Sequence, residues 1–251
     1  MLLHPTIDKL RSLKLMGMAR ALEEQQAHRE IGSFTFEERL GLLLDHESTV
    51  RDAKVLAARL RRAKLKLEAT PEDVDFKAAR GLDKSAFMAL MDTAWVGAHR
   101  NVLITGPTGV GKTYLACAIA NQVCRRGHAA LYCRMTRLFP MLALARADGR
   151  YPKLLAQFAK LDVLLLDDWG LAPLTPDARH DLLEILDDRH GRKSTIVTSQ
   201  LPLEHWHEAI GDATLADAIL DRLVHNAYAF KLTGESQRKR RAKLTDPVAS
   251  A

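Results

Sequence analysis

Long apolar runs are missing from this sequence, and no stretch reaches the roughly 18 residues that a membrane-spanning helix needs. Cysteine is scarce: Cys117, Cys124 and Cys133 show no metal-type pairing, so we expect reduced thiols. Charged residues such as Asp8 and Lys9 stand where a signal peptide would have its apolar core. These absences argue against a membrane protein and a secreted one, and we expect a cytoplasmic location.

Clusters of metal ligands are missing as well. His205 and His207 flank Trp206, but the sequence offers no third ligand nearby. We therefore interpret this segment as an exposed junction between a loop and a helix.

Positive charge is present in excess and is concentrated in two segments. The 251 residues carry a net charge of +6, and 47% are hydrophobic, enough for one substantial α/β core and a smaller domain. The basic segments cover residues 51–66 and 231–243. Together they suggest a polyanionic partner, most simply nucleic acid, with a solvated helix face as the alternative. The second segment, around Arg238–Lys243, is a secondary candidate. The primary candidates for nucleic-acid contact are Arg59, Arg61, Arg62, Lys64 and Lys66.

A glycine-rich loop is the most specific motif in the chain. Residues 106–113 read Gly-Pro-Thr-Gly-Val-Gly-Lys-Thr and match the phosphate-loop pattern G-x-x-x-x-G-K-[ST]. An apolar, strand-like run at 101–105 precedes the loop, and a helix-like run at 114–120 follows it. Because a chance glycine-rich turn would not explain these flanks, the pattern predicts binding of a nucleoside triphosphate.

Each residue type in the loop has a task. Gly106, Gly109 and Gly111 let successive N–H groups turn inward toward phosphate oxygens, and the helix that follows adds its positive end. In this pattern Lys112 reaches the β- and γ-phosphates, and the Thr113 hydroxyl completes a Mg²⁺ shell. The residues expected to bind the nucleotide are Gly106, Pro107, Thr108, Gly109, Val110, Gly111, Lys112, Thr113 and Tyr114.

Two adjacent carboxylates end a second apolar strand. Asp167 and Asp168 follow Val163–Leu166, a run typical of a buried strand in a parallel sheet. We expect Asp167 to hold Mg²⁺ and Asp168 to polarise the attacking water. A strand-end turn capped by aspartates is the alternative. A nearby cation would relieve the repulsion between the two carboxylates, which favours the magnesium interpretation.

The chain divides into a helical leader and an alternating core. Residues 1–70 read as helices, with a break at Gly32 and a capping box at Thr35–Glu38 that opens a helix continuing through the basic run. We place a boundary near residue 70, an ATPase domain at 71–243 and a flexible tail at 244–251. The leader is the candidate for DNA binding or oligomerisation.

Strands alternate with helices after residue 100, which implies a parallel sheet covered on both faces. Strands are expected at 101–105, 129–133, 162–168, 194–199 and 229–232. Helices are expected from about 112, and at 136–147, 154–158, 175–190 and 215–226.

Three segments carry a family resemblance. Asn101–Ala120, Leu164–Gly170 and Thr198–Pro202 resemble the IstB/DnaC-like AAA+ ATPases. The leader, through Leu13–Ala19 and Phe36–Glu47, narrows the resemblance to the IstB-like ATP-binding proteins of insertion sequences. The similarity covers nearly the whole chain. It implies an α/β fold with a P-loop AAA+ core, in which helices flank a five-stranded parallel sheet behind a small all-α N-terminal domain.

The resemblance also implies roles for further residues. Ser199 or Gln200 would be the first sensor of the γ-phosphate; the family often has Asn where this chain has Gln200. Arg222 falls at the arginine-finger position, where it would reach the γ-phosphate of a neighbouring subunit; an exposed helix arginine is the alternative. Arg238 resembles a second sensor, with a simple basic tail as the alternative. Tyr114 stands where the family usually has His and is expected to point away from the phosphates.

The implied function is Mg²⁺-dependent ATP hydrolysis by a homo-oligomer with ATP at its subunit interfaces. Such a protein would bind double-stranded DNA, be stimulated by it, and assist the transposase of the same insertion sequence. A DnaC-like replicative helicase loader is the alternative. A small-molecule kinase is disfavoured, because Asp167 and Asp168 suit activation of water and no second substrate motif stands out.

Overall fold

Apolar segments of five to seven residues form one parallel sheet in the computed structural model, which describes residues 5–27, 31 and 33–237. The strands are β1 (Asn101–Thr105), β2 (Ala130–Arg134), β3 (Val163–Trp169), β4 (Ser194–Ser199) and β5 (Ala227–Lys231). Their order is β2-β3-β4-β1-β5, and every neighbouring pair is parallel. The predicted five-stranded parallel sheet is confirmed.

Burial along the strands explains their composition. Every residue of β1 and β4 is buried, and so is every residue of β3 except Asp168. Strands covered on both faces need apolar side chains throughout, because neither face meets water. All five strands run the same way, so their C-terminal ends share one edge of the sheet, where α/β proteins place ligands.

Helices connect the strands and cover both faces of the sheet, in the expected alternation. The helix after the phosphate loop begins at Lys112, and Thr175 caps a later helix by accepting a hydrogen bond from the Ala178 N–H, as predicted. The helices between strands are α6 (Lys112–Arg125), α7 (Met135–Ala147), α8 (Tyr151–Lys160), α9 (Pro176–Arg189), α10 (Trp206–Ile210) and α11 (Ala213–Val224), whereas α4 (Lys84–Ala89) and α5 (Ala94–Gly97) precede β1.

The leader is helical, but its first helix is broken. The sequence pattern before Gly32 predicts one helix, but the structure has two, α1 (Pro5–Ser12) and α2 (Met16–Ala27). The break occurs because Lys14 adopts a left-handed φ of 61°. Glu47, on the next helix, accepts hydrogen bonds from the Gly17 and Met18 N–H groups at 2.7 and 3.1 Å. These bonds satisfy donors that the start of α2 would otherwise leave unpaired.

The long helix α3 (Phe36–Ala63) begins and ends at identifiable signals. Thr35 and Glu38 exchange hydrogen bonds at 2.7 and 3.2 Å, which confirms the predicted capping box. The helix was expected to continue through Lys66, and this is wrong. It ends at Ala63, because Lys64 takes a left-handed φ of 50°, which no helix residue can adopt.

By its internal contacts the chain divides into two compact units, Met1–Arg59 and Leu60–Ala251. This division falls before the boundary near residue 70, so the domain limits proposed from the sequence stay a prediction. The tail at 244–251, Arg238 and most of the second basic segment lie outside the described residues. Within the described ranges, no helix has both the length and the apolar character to cross a membrane.

Two tryptophans pack beside the C-terminal edge of the sheet. Trp169, the last residue of β3, stacks on Trp206 with ring centroids 4.9 Å apart, and both side chains are buried. Trp206 opens α10, so the predicted junction between a loop and a helix holds in position, but its central residue is not exposed.

Candidate nucleotide-binding site

The phosphate loop joins the C-terminal end of β1 to the start of α6. Gly106 and Gly109 have φ values of 145° and 87°, which side-chain-bearing residues rarely adopt. A Cβ at Gly106 would collide with the carbonyl of Leu232, and one at Gly109 with the side chain of Ser236. Backbone conformation and close packing therefore both require glycine at these two positions.

Lys112, the first residue of α6, is folded into the loop. Its ammonium Nζ donates to the carbonyl oxygens of Gly106 and Pro107 at 2.7 and 2.8 Å, and the residue is only 8% exposed. The loop thus encloses a positive charge at the N-terminal end of a helix. Both features favour a bound anion such as phosphate.

Asp167 lies at the centre of a buried hydrogen-bond cluster. Its Oδ1 accepts from Thr113 Oγ1 at 2.8 Å and from Thr198 Oγ1 at 2.6 Å, and its Oδ2 accepts from the Tyr132 hydroxyl at 2.7 Å. The Asp167 side chain is fully buried. Burial raises the pKa of Tyr132 and the hydrogen bond to Asp167 raises it further, so Tyr132 remains a neutral donor. The cluster joins the phosphate-loop helix to strands β2, β3 and β4.

The same cluster fits a hard divalent cation. Thr113 gives its proton to Asp167, which leaves its oxygen lone pairs available as a ligand. A magnesium ion at a phosphate loop usually has few protein ligands and completes its shell with water and phosphate oxygens. Thr113 and Asp167 are therefore the residues that could hold Mg²⁺ here.

Asp168 has a left-handed backbone conformation, which is uncommon in a β-strand. Its φ is 67°, and the pairing of β3 with β4 shifts register between Leu166 and Trp169. The bulge turns the Asp168 side chain to Arg134, at the end of β2, whose Nε donates to Asp168 Oδ2 at 2.6 Å. The Asp168 N–H donates to the Thr198 hydroxyl at 3.2 Å. The two adjacent carboxylates thus have separate partners, and Thr198 links the Asp167 carboxylate to the Asp168 backbone N–H.

The two sensor candidates at the end of β4 face different ways. The Gln200 Oε1 accepts from the Thr108 hydroxyl of the phosphate loop at 2.6 Å. Ser199 is buried, donates to the Trp169 carbonyl at 2.9 Å and accepts from the Leu201 N–H. Gln200 therefore contacts the loop, whereas Ser199 fixes the backbone at the ends of β3 and β4.

Other groups around the loop gave no signal in the sequence. Arg80 is buried and donates to the carbonyls of Val110 and Asp75 at 3.3 and 2.8 Å. The Gln237 N–H donates to the Gly109 carbonyl at 2.9 Å. A single arginine or glutamine in an irregular segment has no sequence signature. Arg134 gave none either, because its position opposite Asp167 depends on the pairing of β2 with β3.

Tyr114 and Arg222 lie away from the loop interior. The Tyr114 hydroxyl donates to the Asp73 carbonyl at 3.3 Å. Arg222, near the end of α11, donates through Nε to Asp187 at 2.7 Å. A cavity of about 180 Å³ beside Arg222 is also lined by Asn101 and Thr195, at the starts of β1 and β4. Arg222 therefore lies near the N-terminal ends of the strands, whereas the phosphate loop of its own chain lies at their C-terminal ends.

The candidate DNA-binding residues fall in two places. Arg61, Arg62 and Lys64 are exposed at the end of α3, and Arg59 is half-buried one turn earlier; none of them forms an ion pair in the part of the chain that the structure describes. Lys66 instead lies 3.5 Å from Asp167, measured from Nζ to Oδ2.

Comparison with known proteins agrees with this geometry. The family model described as IstB-like ATP binding protein matches residues 8–245. A putative insertion sequence ATP-binding protein, y4pL of Sinorhizobium fredii, is 55% identical over 95% of this chain and 98% of its own. The insertion sequence IS1162 putative ATP-binding protein of Pseudomonas fluorescens is 51% identical over 80% of this chain and 88% of its own.

Among solved structures, the crystal structure of DnaI is similar in fold. It superposes with a TM-score of 0.57 and 25% sequence identity, over 66% of this chain and 92% of its own. The core described above is thus a P-loop AAA+ domain, preceded here by helices.

Proposed function

Because the chain belongs to the IstB-like ATP-binding protein family, we propose that it hydrolyses ATP on double-stranded DNA and assists the transposase of its insertion sequence. The observation that carries this proposal is the buried cluster around Asp167. It joins the phosphate loop, through Thr113, to the sensor strand, through Thr198. Binding, metal and water-activating groups are thereby brought to one edge of one sheet.

The positions of the side chains support the following proposed roles in hydrolysis. Lys112 and the loop N–H groups bind the phosphates, and Gln200 hydrogen-bonds the γ-phosphate or the attacking water. Thr113 and Asp167 would hold Mg²⁺, which would neutralise charge on the phosphate oxygens. Asp168 accepts a proton from the attacking water. At the same time the water oxygen bonds to the γ-phosphorus, and the bond between the γ-phosphorus and ADP breaks. Its pairing with Arg134 means that Asp168 has to be released for this step.

The DNA contact is assigned to the exposed cations at the end of α3. Arg61, Arg62 and Lys64 carry three positive charges within four residues and have no acidic partner among the described residues. Exposed, unpaired cations of this kind bind phosphate backbones without sequence preference. The residues after Gln237 add further positive charge in the sequence and are a secondary candidate.

The active site is proposed to be shared between subunits. Arg222 is on the edge of the sheet away from its own loop, so a role in hydrolysis requires a neighbour whose loop it can reach. Such an arginine would stabilise charge on the transferring phosphate, and bound ATP would strengthen the subunit contact.

The transposase is proposed as the partner because the y4pL and IS1162 relatives are named for insertion sequences. The sequence resemblance to the IstB/DnaC-like ATPases leaves a DnaC-like helicase loader as the second candidate. Either role places the protein with DNA in the cytoplasm.

Phosphate release from ATP, with and without double-stranded DNA, tests the enzymatic part, with Lys112→Ala as the inactive control. We expect DNA to raise turnover. Transfer of phosphate to a small molecule would replace this proposal with a kinase. Pull-down with the transposase encoded beside the gene, against a replicative helicase, separates the two partner hypotheses.

The salt dependence of DNA affinity tests the contact residues. Each neutralised phosphate contributes about −0.9 to the slope of log affinity against log salt. Changing Arg61, Arg62 and Lys64 together to Ala should flatten the slope by up to about 3 units. An unchanged slope would make these residues a solvated helix end.

A further inference from the structure

Lys66 contacts the carboxylate that is assigned to the metal. Its ammonium is 3.5 Å from Asp167 Oδ2, on a side chain that is 36% exposed, whereas the Asp167 side chain is fully buried. The other cations of the site have different partners: Lys112 donates to loop carbonyls and Arg134 to Asp168. A positive charge thus lies beside Asp167.

The fold fixes the segment that carries Lys66. The left-handed Lys64 ends α3, and Ala63 and Ala69, on either side of the segment, are both completely buried. Burial raises the pKa of the Cys117 thiol on α6, and hydrogen bonding from the backbone of Leu67 and Lys66 partly opposes that shift. The backbone around Lys66 therefore packs on the phosphate-loop helix. Lys66 thus reaches Asp167 from a segment whose backbone is held in place.

A magnesium ion and the Lys66 ammonium are competitors at this carboxylate. Both are cations, and at a few ångströms in a partly buried site their repulsion is poorly screened by water. The three hydroxyl donors to Asp167 are neutral and can remain when the metal binds. Lys66 is the group that has to withdraw.

We propose that Lys66 is a built-in cation that occupies the metal-binding carboxylate until magnesium nucleotide displaces it. This rests on the proposed function. Since Lys64 and Arg62 precede Lys66 by two and four residues, its release removes one of the contacts that hold the segment following the DNA-contacting end of α3. Nucleotide state and DNA contact are then linked through one short stretch of backbone.

The test is a Mg²⁺ titration of the binding of a fluorescent ADP, which avoids turnover. Lys66→Met removes the charge and keeps the alkyl chain, and it should lower the Mg²⁺ midpoint about two- to fivefold, the range for a partly exposed ion pair. Lys66→Arg should stay near the parent. Lys153→Met, an exposed lysine on α8 with no ion pair among the described residues, should leave the midpoint unchanged. An unchanged or raised midpoint in Lys66→Met overturns the proposal.

Hydrogen exchange on the unaltered protein gives a second readout that needs no variant. Amides of residues 64–69 should exchange faster once magnesium ADP is added, because Lys66 has left Asp167. Exchange that is unchanged or slower on addition overturns the release step. If the parent protein shows no Mg²⁺-dependent ADP binding at all, it is the proposed function that fails.

Discussion

Arg134 donates from Nε to Asp168 Oδ2 at 2.6 Å, and so connects the last residue of β2 to the second carboxylate of β3. The pair is partly buried, with the two side chains 38% and 14% exposed. A carboxylate whose oxygen is occupied by a guanidinium is poorly placed to take a proton from water. The ion pair therefore holds the candidate base in an inactive arrangement.

Removing that arginine should raise ATP turnover in the absence of DNA. In Arg134→Ala the Asp168 carboxylate is free, and we expect basal phosphate release to increase about two- to fivefold, the range for a partly exposed ion pair. Stimulation by DNA should shrink accordingly. Arg137→Ala, an exposed arginine on α7, is the control. Equal or slower basal turnover would show that Arg134 does not restrain Asp168.

The two adjacent carboxylates should differ in what they lose on amidation. Asp168→Asn should bind Mg²⁺ and ATP but lose turnover, because an amide cannot accept the proton of water. Asp167→Asn should lose metal dependence and also about 1–3 kcal/mol of stability, since its buried amide group cannot accept all three hydroxyl hydrogen bonds. Calorimetry, phosphate release and thermal unfolding separate these effects. Parent-like turnover in Asp168→Asn would move the catalytic role to another residue.

Mixing two inactive variants should restore activity if Arg222 acts on a neighbour. Lys112→Ala retains Arg222 but should lose a charge-assisted contact to ATP. We expect this loss to weaken the free energy of ATP binding by about 2–4 kcal/mol. Arg222→Ala retains an intact phosphate loop. Mixed oligomers contain some interfaces with one working half from each, so phosphate release should reappear at intermediate ratios. Co-assembly without activity at every ratio would rule out action in trans.

The contact between α2 and α3 should make Gly17 sensitive to substitution. A Cβ at Gly17 would lie 2.6 Å from Glu47 Cα, which is backbone and cannot rotate away. Gly17→Ala should therefore destabilise the protein by about 1–3 kcal/mol, as overpacking does. Gly41→Ala, on the same helix pair but with nothing within 4 Å of the new Cβ, should stabilise it by about 0.5–1 kcal/mol. Urea unfolding followed by circular dichroism measures both, and equal effects would contradict the packing.

Glu47 should make the stability of the leader fall in acid. Burial raises its pKa, but hydrogen bonds from Met18, Arg51 and Gly17 outweigh that effect and hold the pKa below its ordinary value of 4.5. A depressed pKa in the folded state means that the stabilisation is present above pH 4.5 and is lost as the pH falls through the folded value. Between about pH 6 and 3, the thermal unfolding temperature should therefore fall less steeply with decreasing pH for Glu47→Gln than for the parent. If the unfolding temperatures of the two proteins fell in parallel with pH, protonation of Glu47 would not contribute to the loss of stability in acid.

The sequence predicts the parts of the site that lie within one segment. The phosphate loop is local, and so are the Asp167–Asp168 strand end and the Thr35–Glu38 capping box. Contacts that depend on strand order are not local: Tyr132 and Thr198 reach Asp167 only because β2 and β4 flank β3.

The position of Lys66 shows a second limit. Continuing α3 through the basic run is reasonable from helix propensity, since lysine and arginine are good helix formers. The helix ends instead at Lys64, which has a left-handed φ. Burial of Ala63 and Ala69 on either side of the segment stabilises this conformation, and no local sequence pattern predicts it. A residue expected on a DNA-facing helix is thus found beside the carboxylates proposed for catalysis.

The stacked pair Trp169 and Trp206 has a practical consequence. Trp169 is bonded directly to Asp168, and the stack places two indole rings against each other beside the candidate site. Their emission depends on ring overlap and on the charges nearby, and Trp95 is the only other tryptophan in the sequence. Intrinsic fluorescence therefore offers a label-free optical signal from the carboxylate strand, and a Trp95→Phe variant would remove the background from elsewhere in the fold.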